Sequence, residues 1–302
     1  MISELQKEIL RLKEETGTVI LAHSYQAPEI LEIADHKGDS FALSVAAKDL
    51  RCDRVILCGV RFMADTVKML SPEKTVLLPI AQATCPMAEQ ISPERVLEYK
   101  KSHPNAAVVA YVNTTTELKA VCDVCVTSSS ALKIVEQLDA PEILFIPDQN
   151  LGSYIKKQLP HKNIVLWDGY CPVHNSVTEE DCIRAKQQYP GMKILMHPEL
   201  PAQVLEYGDV IGSTAAIIRY AMEHDEDCII GTEKSISDYL SLMRPGRRYP
   251  LLSKRLMCPD MRLTTLLDVY KALTGQGGEE IQIPEDLRLK AKRSVDEMIR
   301  MG

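Results

Sequence analysis

The sequence predicts an α/β protein: three homologous three-layer αβα domains with small parallel sheets around a pseudo-threefold axis and a central active-site cavity. Three observations predict it. Landmarks recur at intervals of 88 and 86 residues: His23, Tyr111 and His197; Asp35, Asp123 and Asp209; Ser40, Ser128 and Thr214. Short apolar, β-branched runs such as Val108 to Val112 and Ile143 to Ile146 alternate with helical stretches such as Ser129 to Leu138. That alternation implies right-handed βαβ crossovers and a parallel sheet covered on both faces. Finally, the last strand-like run of each repeat ends in Cys-Pro, at Cys85, Cys171 and Cys258. Four landmarks in one order across three stretches argue for a triplicated unit.

The domains follow from the repeat. The first spans 1–90, the second 91–176 and the third 177–261. The chain opens on an amphipathic helix with Ile2, Leu5, Ile9 and Leu12 on one face and Gly17 as its stop. Segments 264–274 and 286–301 read as C-terminal helices, and 262–302 is expected to pack back near the N-terminal helix, since termini of compact proteins lie close together.

Composition narrows the function. The 302 residues are 45% hydrophobic and 25% charged, with a net charge of -7, which argues against a nucleic-acid or anionic-membrane surface. No run approaches a membrane span and the N-terminus has no secretory h-region, so the expected location is the cytoplasm. Nine cysteines in a reducing compartment point to packing thiols and metal ligands rather than disulfides.

Proline after each of Cys85, Cys171 and Cys258 stiffens the turn that aims the sulfur. Converging thiolates suit zinc, with His174 as the candidate fourth ligand, or an iron–sulfur cluster with one open iron. Spacing does not choose between them. The rival pair Cys122 and Cys125 lacks a second C-x-x-C. Cys52, Cys58, Cys182 and Cys228 read as packing residues.

The first strand of each unit ends in a two-apart pair: His23 and Tyr25, Tyr111 and Asn113, His197 and Glu199. Alternate residues share a face, so each pair can look into one cavity. Together they offer donors, imidazoles and a carboxylate, as dehydration and proton transfer require. Ser40, Ser128 and Thr214 precede helical runs and read as N-caps whose helix termini could cradle phosphate or carboxylate. No nucleotide-binding glycine motif is present.

These residues resemble the quinolinate synthase (NadA) family over almost the whole chain. The resemblance rests on LAHSYQ at 21–26, GDS at 38–40, GVRFMA at 59–64, ATCPMA at 83–88, YVNTT at 111–115, PDQNLG at 147–152, CPVH at 171–174, HPE at 197–199, GST at 212–214, GTE at 231–233 and CPDM at 258–261. It implies three α/β domains around a cavity and a [4Fe–4S] cluster on Cys85, Cys171 and Cys258, with one open iron. It implies condensation of iminoaspartate with dihydroxyacetone phosphate to quinolinate, and functional coupling to an aspartate oxidase or dehydrogenase. It implies that His23, Ser40, Tyr111, Asn113, Ser128, His197, Glu199 and Thr214 bind substrate, with Tyr25, His197 and Glu199 catalytic. Longer members carry C-x-x-C-x-x-C at the third ligand; here Cys258 stands alone, which excludes a redox switch there. The competing classes are a zinc lyase or aldolase on the same thiolates, and a scaffold whose metal only ties domains together.

Overall fold

The computed structural model describes residues 3–302. Ile2, assigned above to the apolar face of the first helix, lies outside them. The first unit runs α1 (Glu4–Thr16), β1 (Thr18–His23), α2 (Pro28–Ile33), β2 (His36–Gly38), α3 (Ser40–Asp49), β3 (Arg54–Cys58), α4 (Arg61–Leu70) and β4 (Thr75–Leu78). The second runs α5 (Pro93–Ser102), β5 (Ala106–Tyr111), α6 (Thr116–Lys119), β6 (Val124–Val126), α7 (Ala131–Gln137), β7 (Glu142–Ile146), α8 (Gln149–Gln158) and β8 (Ile164–Leu166). A short turn, α9 (Pro172–Asn175), closes the second unit; the third runs α10 (Glu179–Gln188), β9 (Lys193–Met196), α11 (Ala202–Leu205), β10 (Val210–Ile211), α12 (Thr214–Glu223), β11 (Cys228–Gly231) and α13 (Lys234–Met243). The chain ends with α14 (Leu266–Leu273), β12 (Glu279–Glu280) and α15 (Glu285–Met301).

Three parallel sheets share one strand order. They read β2-β1-β3-β4, β6-β5-β7-β8 and β10-β9-β11. The third unit has no fourth strand; a single parallel bridge between Ile230 and Leu251 stands in its place. Pro250 one residue earlier has no N–H for a ladder, which keeps this segment from extending. The sequence did not predict β12, which adds antiparallel to β4.

The repeated aspartates explain the shared order. Asp35, Asp123 and Asp209 each accept the backbone N–H of a residue 15 positions earlier in the preceding strand, Ile20, Val108 and Ile194, at 2.8, 2.7 and 2.8 Å. Each aspartate's own N–H donates to the carbonyl of that same residue. One side chain therefore sets where the second strand joins the first.

Side chains alternate along the strands into cores on both faces. Ile20 and Ala22 of β1 pack with α1, α2 and α14, while Leu21 packs with α3 and α4. Ile194 and Met196 of β9 face α10 and α11, and Leu195 faces α12 and α13. Gly17 ends α1 in the left-handed region at φ 60°.

The C-terminal expectation needs correction. It is α14 that packs against α1, through Val269, Ala272 and Leu273 around Ile9. The last helix lies elsewhere, against β6, α6 and α4. Its buried Ala291, Val295 and Met298 match the apolar faces of the first two units, not the exposed side of α1.

Candidate active site

One cavity collects residues from all three units. His23, Tyr111 and His197 sit at or just beyond the C-terminal ends of β1, β5 and β9, and Tyr25, Asn113 and Glu199 follow two residues later. Ser40, Ser128, Thr214, Cys85, Cys171 and Cys258 complete the twelve predicted positions, and every one lines this cavity. Ligands of parallel sheets sit beyond these strand ends.

The hydroxyls are not the caps expected. Asp39 caps α3 by accepting from Ala42 N–H at 2.9 Å, and Ser213 caps α12 by accepting from Ala216 N–H at 3.2 Å. Ser40 and Thr214 are the first helical residues. A capping oxygen serves best from just outside the helix, so the hydroxyls one position on are free to face the cavity. Ser128 lies three residues before α7 begins and accepts from His197 Nε2 at 3.1 Å.

The histidine ring orientations follow from backbone contacts. Nδ1 of His23 accepts Tyr25 N–H at 3.1 Å, and Nδ1 of His197 accepts Glu199 N–H at 3.4 Å. Each neutral ring then carries its proton on Nε2. Burial lowers both: His23 to about 3 and His197 to about 4, despite the Glu199 charge nearby. Both are neutral donors at ordinary pH.

Glu199 is the hub. Burial alone would raise its pKa, but the adjacent His174 and the Tyr111 hydroxyl outweigh burial and hold it below the usual carboxylate range. The sequence offers His174 only as a possible zinc ligand and gives Thr232 no individual signal. The geometry gives both a place. His174 Nδ1 lies 2.8 Å from Glu199 Oε2, and its Nε2 lies 3.1 Å from Thr232 Oγ1. Thr232 Oγ1 is 2.9 Å from Tyr25 Oη, which is 3.0 Å from Thr214 Oγ1. One consistent donor sequence satisfies the chain: Thr214 donates to Tyr25, Tyr25 to Thr232, Thr232 to His174, and His174 to Glu199. A proton can thus be passed between a cavity tyrosine and a carboxylate contributed by different units.

The three cysteines share a local design. Cys85 and Cys171 stand immediately before a one-turn segment and Cys258 two residues before one, and in each case the backbone N–H three residues on, at Ala88, His174 and Met261, turns back toward the sulfur. Burial, then the charges of neighbouring groups, pushes Cys85 up to about 12, Cys258 up to about 11, and Cys171 well above the usual thiol range. No lysine or arginine among the described residues lines the cavity. Thiols so placed become thiolates only if a bound cation supplies the missing charge, which fits a soft metal centre. Cys171, His174 and Glu199 also bring ligand atoms within 4.8 Å of one another. Cys122 and Cys125 stay outside the cavity: their sulfurs donate to Leu118 O at 3.1 Å and Ser294 Oγ at 3.4 Å.

Three parallel sheets feeding acid, base and thiol groups into one small-molecule cavity define an enzyme with a candidate metal centre. The chain belongs to the quinolinate synthase family, NadA, whose description, Quinolinate synthetase A protein, matches residues 7–300. It is similar to the quinolinate synthase of Clostridium acetobutylicum, at 46% identity over all of both chains. It is 44% identical to that of Clostridioides difficile, covering 100% of this chain and 99% of the relative. The Clostridium kluyveri quinolinate synthase is 45% identical over 98% of this chain and 97% of its own. No described helix is long and apolar enough to cross a membrane.

Proposed function

We propose that the cavity condenses iminoaspartate with dihydroxyacetone phosphate to quinolinate, releasing phosphate and two waters. One observation carries this reading: the paired strand-end residues and the three Cys-Pro thiols face a single cavity in a chain of this family. Cys85, Cys171 and Cys258 would hold a [4Fe–4S] cluster, which when bound supplies an open iron as Lewis acid. The domains 1–90, 91–176 and 177–261 would each contribute one thiol around a pseudo-threefold axis. An aspartate oxidase or dehydrogenase would supply the imine, in the reducing cytoplasm that such thiols require.

The protein's own groups divide the work by charge. With no cationic side chain in the lining, the phosphate and carboxylates must be held by neutral donors. His23 Nε2–H, Ser40 and Ser128 suit the phosphate, helped by the free N–H groups that open α3. Tyr111, Asn113, His197 and Thr214 would bind and orient the rest of the substrates. Glu199 is ionised and so positioned to take a proton, with His174 sharing it. Tyr25 gives a proton to a departing hydroxyl; with the hydrogen bonds of the chain running the other way, from Glu199 through His174 and Thr232, the proton taken by Glu199 restores it.

Anaerobic purification tests the reading. A brown protein with about four irons and four sulfides per chain is expected, forming quinolinate from dihydroxyacetone phosphate and freshly generated iminoaspartate. Cys-to-Ser changes at 85, 171 and 258 should abolish colour and product, while changes at 122 and 125 should not. A colourless chain holding one zinc would instead favour a single-ion lyase using the adjacent Cys171, His174 and Glu199.

A further inference from the structure

Equivalent positions of the repeat carry Leu31, Lys119 and Leu205, each four residues before the aspartate that joins second strand to first. Leu31 and Leu205 are buried apolar residues, and Lys119 is more buried still, at 0% exposure. Stripping an ammonium of water is costly unless its hydrogens find acceptors. Here all three acceptors come from one turn: Val112 O at 2.8 Å, Thr114 O, and Thr114 Oγ1 at 3.3 Å. The turn is the one that carries Asn113.

That turn differs from its two counterparts. In the first and third units a histidine closes it. His23 accepts Tyr25 N–H on its ring and Gln26 N–H on its carbonyl, and His197 accepts Glu199 N–H and Leu200 N–H in the same way. Tyr111 replaces histidine in the second unit and has no ring nitrogen to accept. There Thr114 N–H donates instead to Val112 O at 2.8 Å, a three-residue turn centred on Asn113. Lys119 grips the carbonyls on both sides of that residue. Asn113's own amide has no protein partner among the described residues and lines the cavity. Lys119 does not line it; its ammonium lies 5.4 Å from the centre of the Phe62 ring, which does.

We propose that Lys119 is a positioning residue that replaces the missing histidine and aims Asn113 at the substrate. This rests on the reading of Asn113 as a substrate contact. Lysine acts through two backbone carbonyls, so its loss misdirects one side chain without removing a group from the cavity.

The experiment is a double-mutant cycle on the metal-loaded enzyme. Lys119→Leu installs the side chain that the repeat already accommodates at 31 and 205, and Lys119→Met keeps length without donors. Both are compared with Asn113→Ala and with the Lys119→Leu/Asn113→Ala double variant, by kcat, KM for each substrate, bound metal and melting temperature. The expected result is a fall in kcat/KM of about tenfold to a hundredfold for Lys119→Leu, in the same parameter that Asn113→Ala changes, with metal content unaltered. In the Asn113→Ala background the added effect should shrink to about twofold or less. Effects that multiply in the double variant would make Lys119 merely structural and overturn the proposal. Full activity of Lys119→Leu beside an impaired Asn113→Ala overturns it while leaving the site reading intact. A normal Asn113→Ala sinks that residue's substrate role and the route through it. Failure of both lysine variants to fold assigns Lys119 to the core and likewise overturns the proposal.

Discussion

Thr232 is a fully buried hydroxyl between a tyrosine and an imidazole. Valine matches its shape but cannot relay a proton. Thr232→Val should therefore lower kcat with little change in KM, and should cost little more once Tyr25→Phe has already cut the chain; steady-state kinetics of the two singles and the double check this. Neither Thr232 nor His174's partnership with Glu199 was legible in the sequence. Their counterparts in the other units are not hydroxyl–imidazole pairs, so the repeat, which exposed the strand-end pairs, was silent about them. His23 carries a pH prediction. Unfolded histidine titrates near 6.5, whereas burial lowers the folded group to about 3. Between those values the unfolded chain binds a proton that the folded chain does not, so stability is full above about pH 6.5 and falls as pH drops toward 3. His23→Gln should flatten the dependence of the urea midpoint on pH between about 4 and 6; an unchanged slope would refute the buried neutral assignment.

Among the elements, the aspartate that joins each second strand to its first is the clearest repeated device. Asp123→Ala leaves the Val108 N–H without its acceptor and should cost about 1–3 kcal/mol in urea unfolding. Lys100→Met removes only the exposed ion pair to the same carboxylate, and should cost less than about 1 kcal/mol. The sequence located these aspartates by interval alone, and strand and helix positions followed closely because apolar runs and turns recur with them. Helix starts were misjudged by one residue at Asp39 and Ser213, where aspartate–serine and serine–threonine neighbours are both competent caps. The β12 pair was illegible because Glu279 and Glu280 have low strand propensity, and pairing with β4 comes only from tertiary context.

For the molecule as a whole, α15 is the tie between sheets. Its Arg288 donates to Met69 O at 3.1 Å at the end of α4, while Val295 packs in the core shared with β6 and α6. Val295→Ala should lower stability by about 2 kcal/mol, and fluorescence and far-ultraviolet circular dichroism should report one coincident shifted transition; separate transitions would show that the first two units unfold independently. The last helix could not be assigned to this seam from sequence because an amphipathic pattern states that a face is buried, not which surface covers it. The common strand order has one more consequence. A ring of three identical subunits must present the same side chain three times at every equivalent place. Joined in a single chain, the units are released from that constraint: histidine, tyrosine and histidine at one level, tyrosine, asparagine and glutamate at the next, leucine, lysine and leucine beneath. A strand order used three times in one chain can thereby enclose a lopsided guest, with each unit free to diverge while the aspartate that shapes it stays the same.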